Sequence, residues 1–209
     1  MLDNVMVFCQ SSIKFTFDKI IYFDPFKIDI DYKDADIIFI THDHYDHFDL
    51  ESINKIIKKD TILVVPTSMV NKVSTLFEHN EILGCDPDKE YNIYDYSIKT
   101  VRSYNNNKQF HPKDNNWLGY ILYANNYSYY IMGDTDDTSD ARNVKCDVLF
   151  VPIGGTYTMD YNEGANYTNF IKPKVVIPIH YKTVVGSYED ANRFVNLLDK
   201  DIESKIYIK

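Results

Sequence analysis

The segment Ile37-Ile38-Phe39-Ile40-Thr41-His42-Asp43-His44-Tyr45-Asp46-His47 passes from an apolar, β-branched run directly into three of the chain's six histidines. Such a change of character reads as a buried strand that ends in a ligand-binding loop. On an extended backbone His42 and His44 point to the same side, and Asp46 with His47 opens a second cluster a turn later. That spacing suits two adjacent cations. With histidine this scarce, H-x-H-x-D-H arises by chance in about one in a thousand chains of this length. Imidazole and carboxylate without thiolate suit zinc first, with manganese or iron as alternatives, because borderline metals take mixed N/O ligands.

Working outward, three more apolar runs stop at a residue able to bind metal or position a ligand: 20–23 at Asp24, 129–132 at Gly133-Asp134, and 175–179 at His180. In open α/β sheets, ligands collect beyond the carboxyl ends of strands. Further β-branched or aromatic runs predict strands at 5–9, 13–17, 61–65, 96–103, 117–123, 127–132, 148–151 and 206–208, with Asn125-Asn126 as a hairpin turn. Helical spacing covers 50–59, 67–77, 162–171 and 188–198, with Asp49 and Ser187 as N-caps of the first and last. Strands alternating with helices give an α/β architecture of mixed sheets covered by helices.

Composition narrows the function. The 209 residues, 44% hydrophobic, allow one sizeable core and leave little room for a second domain. Lys plus Arg number 22 against 31 Asp plus Glu, a net charge of −9, which disfavours binding to nucleic acid or anionic membranes. The start, Met1-Leu2-Asp3-Asn4, has no secretory character and no apolar run reaches membrane-spanning length, so a cytoplasmic location is expected. Cys9, Cys85 and Cys146 are odd in number and widely spaced, which predicts reduced, structural thiols. No G-x-S-x-G occurs, and covalent catalysis has no visible nucleophile.

Taken together, the 42–47 block, a later histidine, Gly133-Asp134-Thr135 after a strand, and Ile179-His180-Tyr181 resemble the metallo-β-lactamase fold hydrolases over nearly the whole chain. The resemblance implies a single metallo-hydrolase domain over 1–209, built as the four-layer αβ/βα sandwich of two mixed β-sheets flanked by helices. It also implies one metal held by His42, His44 and a middle-loop histidine, a second held by Asp46, His47 and His180, and Asp134 bridging both. The middle histidine is His79 or His111. His111 fits better, lying in the polar loop 105–116 between strands, where Pro112 restricts its backbone, whereas His79 follows a helix in Glu78-His79-Asn80. Within the family, His44-Tyr45-Asp46-His47, Phe110-His111-Pro112 with Trp117-Leu118-Gly119, and Asp134-Thr135 look most like the branch of ascorbate-6-phosphate lactonase and N-acylphosphatidylethanolamine phospholipase D. The H-x-E-x-D pattern of flavodiiron oxidases and the basic arm of tRNA-trimming endonucleases are absent.

Neighbouring residues have two readings each. Asp24 either hydrogen-bonds a ligand histidine or starts an Asp-Pro turn. Tyr157, in Gly154-Gly155-Thr156-Tyr157, either donates its hydroxyl to substrate or packs beside a tight turn, and the glycines would allow close backbone approach. Tyr45 faces the site or the core, Lys182 meets an anionic substrate or solvent, and 105–108 is a substrate rim or a solvated loop. Of the acids at 134–140, only Asp134 is a ligand candidate, and Asp136, Asp137 and Asp140 are expected in solvent.

The expected function is metal-dependent hydrolysis. A metal-bridging hydroxide would cleave an ester, lactone or phosphodiester bond of a small-molecule, anionic substrate. Two divalent ions, zinc first, would be the cofactors. Asp46 is expected to orient the hydroxide and pass a proton to the leaving group, and Tyr157 to stabilise the developing oxyanion. The alternatives are a metal-binding sensor without turnover and, disfavoured by charge, a nuclease.

Overall fold

Parallel strands buried on both faces need continuous apolar runs, and the chain supplies them in two blocks that form two mixed β-sheets. The computed structural model describes residues 1–208. The chain divides into two compact units, Met1–Asp86 and Pro87–Lys209, each built on one sheet.

In the first unit the sheet runs β1 (Val5–Val7), β2 (Ile13–Thr16), β3 (Ile20–Phe23), β4 (Ile37–Phe39), β5 (Ile62–Pro66) and β6 (Glu81–Cys85), in that spatial order. β1, β2 and β3 form an antiparallel meander, and β3 to β6 are parallel. Phe23 pairs with Phe39, so β3 and β4 end side by side and release Asp24 and Thr41 at one sheet edge. Tyr22, Ile38, Leu63 and Val65 share a buried core with Ile53 and Ile56 of α1 (Leu50–Ile56) and Val73 of α2 (Val70–Leu76). On the opposite pleat the Phe23 and Phe39 rings stack at 4.5 Å. Asp49 caps α1 by accepting from Glu51 N and Ser52 N, which fixes the exit of the histidine segment.

In the second unit the strands are β7 (Glu90–Ile93), β8 (Tyr96–Arg102), β9 (Leu118–Ala124), β10 (Tyr127–Ile131), β11 (Val148–Pro152), β12 (Val175–Ile179) and β13 (Glu203–Ser204). Their spatial order is β13-β12-β11-β10-β9-β8-β7, parallel from β10 to β13 and antiparallel from β7 to β10. Asn125 and Asn126 both have positive φ, 50° and 64°, as a two-residue hairpin turn between β9 and β10 requires. The helices are α3 (Ser139–Arg142), α4 (Tyr161–Ile171) and α5 (Tyr188–Asn196), and the N-termini of α4 and α5 carry reciprocal capping boxes, Asp160 with Glu163 and Ser187 with Asp190. Among the described residues no helix is long and apolar enough to cross a membrane.

The departures from expectation lie at sheet edges and in short pieces. β6 and β7 are edge strands with half-exposed, mixed sequences that lack a clean alternation. The terminal strand is Glu203–Ser204 rather than 206–208, where an apolar run exists without a ladder partner. α3 has four residues, too few to display a helical period.

Candidate metal centre

All the donor residues but His111 sit just beyond the ends of parallel strands, in both units. In the first, Asp24 N donates to Phe39 O (2.9 Å) and Asp24 takes a left-handed φ of 43°, which turns its carboxylate back over the β3 and β4 ends. That carboxylate is fully buried and accepts from Thr41 N (2.8 Å) and Thr41 Oγ1 (2.6 Å), and its Oδ2 lies 2.7 Å from His47 Nδ1. With its proton given to Asp24, Thr41 Oγ1 accepts from His42 Nδ1 at 2.9 Å. This network sets both rings to the Nδ1–H tautomer, so His42 and His47 each keep the Nε2 lone pair available as a candidate ligand. Asp24 is therefore the partner of a histidine, and its Asp-Pro turn serves that placement.

His42 Nε2 lies 3.1 Å from His44 Nδ1, and the His42 and His47 ring centres are 4.0 Å apart. Two nitrogens on one tetrahedral zinc, each at about 2.0–2.1 Å, stand about 3.3 Å apart, so the His42 and His44 nitrogens already have ligand spacing. Asp46, 6% exposed, receives a hydrogen bond from Gln10 Nε2 at 2.8 Å, and its Oδ2 is 3.7 Å from His47 Nε2. The segment is bent rather than extended, because His47 N and Phe48 N both donate to His44 O.

In the second unit, Asp134 lies three residues beyond the end of β10 and His180 directly follows β12, and the polar loop after β8 brings in His111. Asp134 Oδ2 lies 2.9 Å from His180 Nε2 and 3.3 Å from His111 Nε2, so two imidazoles converge on one carboxylate oxygen. All three residues are buried, at 3% exposure for Asp134 and 0% for both histidines. Asn105 Oδ1 accepts from His111 N (3.1 Å) and pairs with His111 Nδ1 (2.9 Å), which leaves Nε2 to face Asp134. Ser103 Oγ lies 2.9 and 3.0 Å from the carbonyl oxygens of Met132 and Asp134 and steadies the strand end. His180 has φ 57°, and a Cβ at Gly154 would lie 2.3 Å from His180 O and 3.2 Å from its Nδ1. Glycine is needed at 154 because His180 occupies that space.

Donor atoms in both units are thus candidate metal ligands: His42, His44, Asp46 and His47 in the first, His111, Asp134 and His180 in the second. Imidazoles and carboxylates, with the His42, His47 and His111 tautomers set by buried oxygen partners, fit a borderline divalent metal. His79, the other candidate for the middle ligand, is exposed in the turn after α2. Tyr157 is half-buried, its ring packs edge-on against Phe110 at 4.6 Å, and its carbonyl accepts from Asn105 Nδ2 at 2.9 Å. Tyr45 is 67% exposed against Phe26, and Lys182 is exposed with φ 70°. Asp136 departs from the expectation of a solvated acid: it is 7% exposed and paired with Lys108 at 2.6 Å. Asp137 is bidentate to Arg142, and Asp140 accepts from Tyr104. Burial pushes the Cys146 thiol up to about 12, which leaves little thiolate at neutral pH.

Comparison with known proteins agrees with this construction. A family model described as a beta-lactamase superfamily domain matches residues 11–180. The chain belongs to the metallo-β-lactamase superfamily. It is similar to a UPF0173 metal-dependent hydrolase of Staphylococcus aureus (strain MRSA252), 28% identical over 206 residues, covering 88% of this chain and 89% of that protein. Among solved structures, one assigned as a metal-dependent hydrolase from Parabacteroides distasonis ATCC 8503 superposes with a TM-score of 0.83 at 26% identity, covering 98% of this chain and 93% of the other. Igni18, a metallo hydrolase from the archaeon Ignicoccus hospitalis KIN4/I, shares the fold at a TM-score of 0.77 and 19% identity, over 97% of this chain and 93% of the other. The superfamily match runs through every candidate ligand from His42 to His180.

The sequence marks Asp24 as a candidate and contains no signal for Gln10, which reaches Asp46 from 36 residues away. Asn105 stands in a polar run that reads as a rim, and only its two bonds to His111 reveal its role.

Proposed function

We propose that this chain, a metal-dependent hydrolase of the metallo-β-lactamase superfamily, cleaves an ester, lactone or phosphodiester bond of a small, anionic substrate in the cytoplasm, using two divalent metals, zinc first. The observation that carries the proposal is the convergence of His111 and His180 Nε2 on one oxygen of Asp134, at 3.3 and 2.9 Å. Two nitrogen lone pairs and an anionic oxygen brought this close repel one another unless a proton or a cation lies among them. Following the family resemblance, His42, His44 and His111 would hold one cation, and Asp46, His47 and His180 would hold the other, with Asp134 shared. A bound divalent metal supplies a nucleophile at neutral pH by lowering the pKa of water from 15.7 to about 7.

The chain's own residues supply orientation and proton transfer. Asp24 and Asn105 fix the tautomers of His47 and His111, so the ligand nitrogens are aimed before any metal arrives. Asp46, held by Gln10, would orient the attacking water and pass a proton to the leaving group. Tyr157 would donate its hydroxyl to charge developing on the substrate. The net charge of −9 argues against a polynucleotide substrate.

The test is elemental analysis of the purified protein followed by assays on lactones, carboxylic esters and phosphodiesters, with and without added metal. About two transition-metal ions per chain and metal-dependent turnover of one class are expected. Calcium or magnesium alone would defeat the metal assignment, and bound zinc with no turnover on any class would favour a non-catalytic metal-binding protein.

A further inference from the structure

The loop that delivers His111 has little hydrophobic anchorage. Within 105–111 only Asn105 and His111 are buried, while Asn106, Asn107, Gln109 and Phe110 are exposed. Its position is set instead by polar bonds to the segment that follows Asp134. Asp136 receives three of the connections: its Oδ2 accepts from Asn106 N (2.9 Å), its Oδ1 pairs with Lys108 Nζ (2.6 Å), and its own N donates to Tyr104 O (3.0 Å). Thr135 Oγ1 accepts from Tyr104 N (3.2 Å) and lies 3.0 Å from Tyr104 O, and Asn106 Nδ2 donates to Asp137 O (3.0 Å). Asp137 is in turn gripped by Arg142, whose guanidinium lies 4.8 Å from the Phe170 ring of α4.

We propose that Asp136, neutralised by Lys108, is a positioning residue that fixes the distance and ring orientation of His111 relative to Asp134. The inference rests on the reading of His111 and Asp134 as metal ligands. The Asp136 side chain is 10% exposed, and a carboxylate this buried two residues from Asp134 is costly unless a cation compensates it, which Lys108 does. The bonds of Asp136 to Tyr104 O and Asn106 N then hold both neighbours of Asn105, the residue that orients the His111 ring. Asp136 thus acts on the ligand through the loop, without touching the imidazole.

The molecule contains its own control. Asp147 makes a similar set of bonds, accepting from Ser128 N (2.8 Å) and Ser128 Oγ (2.9 Å) and pairing with Lys174 (2.8 Å), but it lies at the start of β11, the end of the strand opposite to the ligands. The experiment measures Zn²⁺ affinity of the full chain by chelator competition, and the His111 ring nitrogens of the metal-free protein by long-range ¹H–¹⁵N correlation. Asp136→Ala and Lys108→Met should each weaken zinc about tenfold, within the range found for residues behind metal ligands, and the double variant should lose little more than either single one. Asp136→Asn, which keeps an acceptor for Asn106 N, should fall between wild type and alanine. In Asp136→Ala the His111 ring should change from the Nδ1–H form to a tautomer mixture. Asp147→Ala should lower stability and leave zinc affinity and the His111 spectrum unchanged. Unchanged affinity and tautomer in Asp136→Ala, or an equal loss of zinc in Asp147→Ala, would overturn the proposal. A wild-type chain that takes up no zinc would instead overturn the metal-ligand reading, and the His111 spectrum would still decide whether Asp136 positions the ring.

Discussion

The two units arrive at their donor sets by opposite routes. The first concentrates its candidate ligands in one turn, His42 to His47, so stopping β4 and bending the chain is enough to assemble them. The second gathers His111, Asp134 and His180 from three loops, and only the pairing of β10, β11 and β12 brings the last two together. The orienting groups differ as well. A carboxylate, Asp24, holds His47, whereas a neutral amide, Asn105, holds His111. A carboxylate behind a ligand raises its basicity as well as aiming it. Asp24 would therefore add charge as well as direction to His47 as a ligand, while Asn105 would give His111 direction alone.

Metal removal gives the largest expected effect and should not distinguish the two routes. A ligand bound only by the native state adds RT ln(1 + [L]/Kd), about 4 kcal/mol at a thousandfold excess over Kd. Calorimetric melting after chelation should show a clear fall in Tm, reversed by adding zinc back. An unchanged Tm would mean that neither donor set holds metal tightly.

Single ligands test the dispersed set. Under the proposed assignment His111→Ala leaves its metal only the imidazoles of His42 and His44 plus the shared Asp134, and calorimetric titration should show one metal bound at least a hundredfold more weakly. If that variant keeps two metals at wild-type affinity, His111 is not a metal ligand.

A smaller effect sharpens the contrast between carboxylate and amide. Asp24→Asn preserves shape but removes the charge behind His47, and should cost 10- to 100-fold in metal affinity, roughly 1.4–2.7 kcal/mol. Asn105→Asp, adding a charge behind His111, should not weaken binding. Equal losses in both variants would show that geometry alone matters.

The smallest effect belongs to His79→Ala. An exposed histidine in the turn after α2 should change stability by no more than about 0.5 kcal/mol and leave the metal count intact, as measured by thermal melting and elemental analysis. Loss of a metal in this variant would transfer the middle ligand from His111 to His79.

Local signals made part of this molecule readable in advance. Apolar runs that stop at Asp24, Thr41, Asp134 and His180 were visible because a buried parallel strand is continuous in sequence and its end is abrupt. The H-x-H-x-D-H block is local too, and together these features led to the superfamily and to two mixed sheets with helices. The hairpin at Asn125-Asn126 and the caps at Asp49 and Ser187 followed from the chemistry of single residues.

Tertiary structure alone decided the rest. Edge strands β6 and β7 are half-exposed and exist through their partners, so their own residues carry no period. Whether Asp24 starts a turn or orients a histidine depends on the register of β3 against β4, and whether Asp136 is solvated depends on a lysine 28 residues earlier. Gln10 at Asp46 and Asn105 at His111 are meetings of segments whose polar side chains look like ordinary loop residues in sequence. The candidate ligands stand out by residue type and strand ends, which are local properties. The hydrogen bonds that aim those ligands are contacts across the fold, and no sequence period encodes them.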